Sequence, residues 1–128
     1  MQDHDLAAAA RGVRAFRVTR EMTEEQAMDS MCPLGPLDQS LLGLVRFSGL
    51  TPWERHPVGD ELLHVLAGVV EVTLLPAQGP PQTQTVAAGS VCVVPRGLWH
   101  RQHAPAEATL LFVTPTELTA SSWDDDPR

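Results

Sequence analysis

From residue 41 onward the chain breaks into short runs in which apolar and polar residues alternate or apolar residues cluster, each bounded by Gly, Pro or Asp. The pattern predicts strands at 41–48, 52–56, 61–66, 69–75, 82–87, 90–94, 98–104 and 107–114. Strands this short, at such close intervals and with no room for a helix of normal length, read as an all-β sandwich or barrel. Ala67-Gly68 reads as a tight hairpin between 61–66 and 69–75, and Pro76 to Pro81 as a longer loop. Gly97 allows a turn before His100, while Pro95 fixes φ and withholds a ladder donor at a strand end.

The first forty residues are less regular. Ala7 to Ala10, followed by Arg11, Arg14 and Arg17, suit a short helix or an irregular arm, and the alternation that follows predicts a strand near 13–18. Thr23-Glu24-Glu25-Gln26 has the form of a capping box, which predicts a helical turn over 23–29. Cys32-Pro33-Leu34-Gly35-Pro36 should then form a loop, and the tail from Trp123 to Arg128 should fray apart from Trp123. The expected organisation is one domain: an arm and loop at 1–40, a barrel at 41–116 and a tail at 117–128.

Composition narrows the class. A chain of 128 residues is of single-domain size and can bury roughly 65–70% of the surface its unfolded form exposes. No apolar run is long enough to span a bilayer and the first residues lack a basic region, so the expected compartment is the cytoplasm. Cys32 and Cys92 make no zinc or disulfide pattern, and Cys92 reads as a packing residue. A net charge of −7 argues against a nucleic-acid surface. The absence of Lys excludes Schiff-base chemistry and, with abundant Ala, Pro and Gly, looks like the coding bias of a GC-rich bacterial genome.

The chemistry is concentrated in two segments. Glu54 and His56 are two residues apart, so on a strand both side chains leave the same face. If the strands carrying Glu61 and His100 turn the matching face inward, two imidazoles and two carboxylates meet in one pocket, a metal site by ligand type.

These segments resemble the cupins, whose motifs are G-x5-H-x-H-x3,4-E-x6-G and G-x5-P-x-G-x2-H-x3-N. Gly89, Pro95, Gly97 and His100 match the second motif, whose final Asn is Ala104 here. His56, Glu61 and Gly68 match the first, whose first His is Glu54, and Gly49 sits one residue too close to serve as its leading Gly. The resemblance, over about residues 41–114, implies a double-stranded β-helix, or jelly-roll barrel, with a short N-terminal arm. It also implies a homodimer built by sheet edges and exchanged N-terminal strands. Cupins include dioxygenases, decarboxylases, isomerases, storage proteins and sensory domains, so activity does not follow from the fold.

An inward His56, Glu61 and His100 would form a two-His-one-carboxylate set for one divalent first-row ion, Mn, Fe, Zn or Ni. Glu54 would be a fourth ligand or a general base, or else an exposed partner of Arg46, Arg55 or Arg101. Trp53 and Trp99 could wall a ligand pocket, and Arg96 and Arg101 could grip a substrate carboxylate. His4 and His103 read as structural, and alternation sends His64 to the face opposite Glu61. Two classes remain: a metal-dependent enzyme on a small molecule, of dioxygenase, isomerase or decarboxylase type, and a non-catalytic ligand-binding or sensory module.

Overall fold

Every strand pairs with β9 (Trp99–Pro115) directly or through one neighbour, in a computed structural model that describes residues 1–128. Along one edge of β9 runs β3 (Ser40–Leu50), from Ser40 opposite Pro115 to Leu50 opposite His103. The line continues into β4 (Trp53–Arg55), where Glu54 faces His100. Along the other edge β5 (Glu61–Ala67) pairs with the far half of β9 and β6 (Val69–Leu75) with the near half. The outer strands complete the barrel. β7 (Gln82–Ala87) pairs with β6, β8 (Val91–Val94) with β5, β2 (Cys32–Leu37) with β3, and β10 (Ala120–Ser122) with β4, all antiparallel.

The predicted alternation decides what is buried. Leu63 and Val65 of β5, Val70 and Val72 of β6, and Leu110 and Phe112 of β9 point into one core with Val45, Phe47, Val86 and Val94. His64 lies on the opposite face of β5, as its spacing from Glu61 predicts, and is half-buried there. The fold is therefore the expected all-β jelly roll, with two short helices confined to the arm. No helix is long and apolar enough to cross a membrane.

In the arm, α1 (Leu6–Gly12) starts at Asp5, whose side chain accepts from Ala8 N, and β1 (Ala15–Arg17) pairs in parallel with β3 of its own chain. The capping box forms as read: Thr23 and Gln26 exchange side-chain and backbone bonds at the head of α2 (Glu24–Asp29).

Four local expectations fail. Ala67-Gly68 joins no hairpin, because β5 and β6 do not pair; both run along β9 as one long strand bent at Gly68. Gly is needed there for two reasons. Its φ is +80°, and a Cβ would come 2.7 Å from the Glu107 carbonyl oxygen. The segment expected as a loop at 32–36 is instead β2, an edge strand whose register shifts between Pro33 and Gly35, where proline costs no paired donor. The strands expected at 98–104 and 107–114 are one element, since Pro105 sits where the register with β3 shifts and bends the strand without ending it. The tail is tied down: β10 pairs with β4, the Arg20 guanidinium stacks on Trp123 and bonds its carbonyl, and Arg128 reaches the Pro76 and Gly79 carbonyls.

Replacing Gly68 by Ala adds both a positive-φ strain and a clash with backbone. The expected loss is about 1–3 kcal/mol of stability, measured by urea unfolding, and an unchanged midpoint would contradict the bend described here.

Candidate metal centre

Four side chains converge where β4, β5 and β9 meet. Glu54 lies in β4, His56 just after it, Glu61 opens β5, and His100 is the second residue of β9, directly opposite Glu54. One ligand atom from each lies within 4.8 Å of the others, so the group could hold a metal ion. His56, Glu61 and His100 are 3%, 3% and 1% exposed. Glu54 is the open side, its side chain 39% exposed. The structure thus brings together all four residues proposed as ligands from the sequence.

The Glu61 carboxylate is the hub. Its Oε1 lies 3.1 Å from His100 Nε2, and its Oε2 accepts from the Thr114 hydroxyl at 2.6 Å. The same Oε2 lies 3.3 Å from His56 Nε2, and Glu54 Oε2 lies 3.5 Å from that nitrogen. Neither of these two contacts has hydrogen-bond geometry, and His56 Nε2 is buried without a partner. On their other sides the rings meet oxygen: His100 Nδ1 is 3.4 Å from the Leu98 carbonyl and His56 Nδ1 is 2.9 Å from the Thr119 hydroxyl. The Leu98 carbonyl and the Glu61 carboxylate can each only accept, so His100 is the donor in either contact, and the shorter one runs from Nε2 to Glu61. Gly97, at φ +79°, turns the chain so that its N–H bonds the His56 carbonyl, tying the two motifs together.

Charge follows from this geometry. Burial alone would lower the pKa of His56, yet its contacts with Glu54 and Glu61 and their charge push it up to about 9. Burial would raise Glu61, but His100 and His56 hold it down to about 2. Cys92 is half-buried near Glu61, and both its burial and that charge raise its pKa, so the thiol stays protonated near neutral pH.

A buried nitrogen without a partner, facing two carboxylates, calls for a cation between them. Two carboxylates carry two negative charges, which one divalent ion offsets, and mixed imidazole and carboxylate donors suit Mn, Fe, Zn or Ni. The residues present therefore fit such an ion.

The four residues expected around a ligand lie elsewhere. Alternation turns Trp53 and Arg55 of β4, and Trp99 and Arg101 of β9, to the face away from the cluster. There they stack in two crossed pairs, Arg101 4.3 Å from the Trp53 ring and Arg55 5.3 Å from the Trp99 ring. Arg96 is engaged with Asp60, which accepts from its backbone N–H at 2.9 Å and lies 3.6 Å from its Nε. Glu54 pairs with none of the arginines considered for it. His103 is structural as expected, its Nδ1 2.9 Å from Glu71.

A cleft of about 160 Å³ is lined by Val72, Leu74, Gln84, Val86, Cys92 and Val94 among others. None of the four cluster residues lines it, although Leu74 is the ladder partner of His100 and Val94 that of Glu61. A larger cleft of about 450 Å³ around Asp38, Ser40, Gly59 and Pro115 shares no residue with the cluster. Sequence reasoning missed Thr114 and Thr119. A hydroxyl closing the apolar run Leu110 to Val113 was a signal for the first, and nothing local marks the second.

The model of the cupin domain family matches residues 45–114. Germin-like protein 1-1 of Oryza sativa subsp. japonica is 41% identical over 68 residues, which cover 50% of this chain and 32% of that protein. The chain thus spans about a third of that relative's length. Among solved structures, a cupin-2 domain containing protein from Shewanella frigidimarina NCIMB 400 aligns with a TM-score of 0.59 at 20% identity, over 75% of this chain and 95% of that one. An oxalate oxidase in complex with glycolate aligns with a TM-score of 0.56 at 24% identity, over 65% of this chain and 46% of that one. At these identities the structural likeness concerns the fold.

The two shifted groups give the metal-free protein a bounded stability window. His56, raised from 6.5 to about 9, contributes fully below pH 6.5 and loses its contribution as pH rises through 9. Glu61, lowered from 4.5 to about 2, contributes above pH 4.5 and loses its contribution as pH falls through 2. Melting temperature in chelator should peak between pH 4.5 and 6.5 and fall on both sides. A flat profile from 6.5 to 9 would show that His56 is uncoupled from the carboxylates.

Proposed function

The chain belongs to the cupin family, and from that premise we propose that it is a metal-dependent enzyme acting on a small molecule, with one divalent first-row ion held by His56, Glu61, His100 and Glu54. The observation that carries this reading is the buried, partnerless Nε2 of His56 facing two carboxylates. When bound, such an ion polarises a carbonyl or carboxylate oxygen or activates oxygen or water.

The protein's own contribution is positional. Glu61 is fixed by Thr114 and His100, so it cannot swing to meet a substrate. Glu54 is half-open to solvent beside the buried ring of His56, which makes it the group able to take a proton from a bound molecule and return it to water. The glycolate complex of the oxalate oxidase supports a small oxygenated substrate class. The free thiols of Cys32 and Cys92 suit a reducing compartment, the cytoplasm in this reading.

A non-catalytic binding module is the second reading. It is favoured by Glu54 and by the fully buried Ala104, which stand where the family's motifs have His and Asn. Turnover against small oxygenated acids separates the two.

Elemental analysis of the purified protein should find near-stoichiometric metal, lost in folded His56→Ala and His100→Ala variants. Absence of metal in the parent chain after reconstitution with Mn, Fe, Ni and Zn would refute the metal reading.

A homodimer belongs to the same proposal. Strand β8 pairs on one side only, and Val91 and Val93 on it are 58% and 57% exposed. Light scattering should report a dimer for the parent chain and a monomer for the Val91→Glu, Val93→Glu double variant; a monomeric parent would end this part of the proposal.

A further inference from the structure

The C-terminal strand reaches the cluster through one side chain. Pairing of β10 with β4 places Ala120 opposite Arg55, so Thr119, just before β10, lies beside His56, just after β4. The Thr119 hydroxyl is 2.9 Å from His56 Nδ1 and donates to the Pro115 carbonyl at 3.3 Å. A hydroxyl has one proton. With that proton on Pro115, the oxygen accepts, and His56 Nδ1 must be the N–H donor. A neutral ring protonated on Nδ1 has its lone pair on Nε2, the atom that faces Glu54 and Glu61 without a hydrogen-bond partner. The chain makes a local sacrifice to deliver this hydroxyl: Leu118 is held at φ +59°, left-handed backbone that a leucine disfavours, with its side chain largely in solvent.

We propose that Thr119 is a positioning residue that locks His56 in the Nδ1–H tautomer and so presents Nε2 as a metal donor, making the segment 115–122 part of the site. The inference rests on the metal reading above for its consequence, while the tautomer stands on hydrogen bonds within the chain. Without the hydroxyl, nothing else holds the proton on Nδ1, and a proton that moves to Nε2 blocks the donor atom. Partners of this kind typically alter metal affinity by about 10–100-fold.

The test compares Thr119→Val, which keeps the shape and removes the hydroxyl, with Thr119→Ser, which keeps the hydroxyl, in the full chain. Zinc affinity is read by competition with a chromophoric chelator. The His56 tautomer is read from ring ¹⁵N shifts of the metal-free protein at alkaline pH, where those shifts themselves report the neutral ring. The expected result is the Nδ1–H tautomer in the parent and the serine variant. The valine variant should show Nε2–H, with zinc affinity lower by about 10–100-fold. Unchanged affinity and tautomer in the valine variant, or equal losses in both variants, would overturn the proposal. If the valine chain does not fold, the parent decides alone, and Nε2–H on its His56 overturns the assignment. A parent that takes up no zinc while its tautomer still follows the hydroxyl would refute the metal reading and leave Thr119 in its role.

Discussion

The structure depends on keeping the Glu61 carboxylate charged inside the barrel. At 3% exposure it has lost nearly all of its water, and each buried ion forfeits several kcal/mol of hydration even after relaxation. One full opposite charge about 3 Å away returns roughly 5 kcal/mol at an effective dielectric of about 20. A single partner therefore does little more than break even. The Thr114 hydroxyl and the two imidazole edges shift the balance only if something between them is positive. A proton on His56 meets that need in the metal-free chain, and a divalent ion meets it without one.

The fold serves this requirement through register. A strand slipped by one residue would turn Glu54, His56, Glu61 or His100 to the far side of its sheet. Two devices prevent the slip. β9 is long enough to pair β3 and β4 on one edge and β5 and β6 on the other, so the three ligand-bearing strands share one reference. The bend at Gly68, where backbone packs too closely for any side chain, pins β5 and β6 along it. The residues on the other face add friction of their own, since Arg101 on the buried Trp53 ring and Arg55 on Trp99 cross-link β4 and β9 beside the Glu54–His100 pair.

Much of this was legible in the sequence, for definable reasons. Strand positions and the inward set could be read because a period of two ties neighbouring residues to faces, and the spacing from Glu54 to His56 is a local fact. Gly68 stands out in the sequence as a special position, yet its neighbours do not say which structure it serves. A hairpin and a corner in a continuous strand make the same local demand on φ, and only pairing with β9 distinguishes them. The Pro-rich segment 32–37 looked like a loop because its strand character comes from β3 alone. Trp53 and Trp99 flank the cluster residues in sequence, which suggests a shared pocket, but adjacency on a strand means opposite faces. Thr119 was invisible: it arrives beside His56 through long-range pairing of β10, for which no nearby residue offers a sign.

Glu54 is the point at which the site differs in kind from one built of three imidazoles and a carboxylate. Replacing a neutral donor by an anion gives the cluster two negative charges, enough to balance a divalent ion fully. It also leaves the metal-free cluster in need of protons, and His56 is where they are held, its pKa pushed up to about 9. In the proposed metal site, proton and cation would compete for the same nitrogen, Nε2, within one buried ring. Exposure of Glu54 moderates that competition, because a half-solvated carboxylate exerts less of its charge than a buried one. The solvent-facing carboxylate also gives the buried ligands a route for protons to water. An imidazole at this position would have offered the ion a neutral donor and no negative charge toward either its balance or proton transfer, so Glu54 suits a site in which binding a cation and moving a proton are coupled.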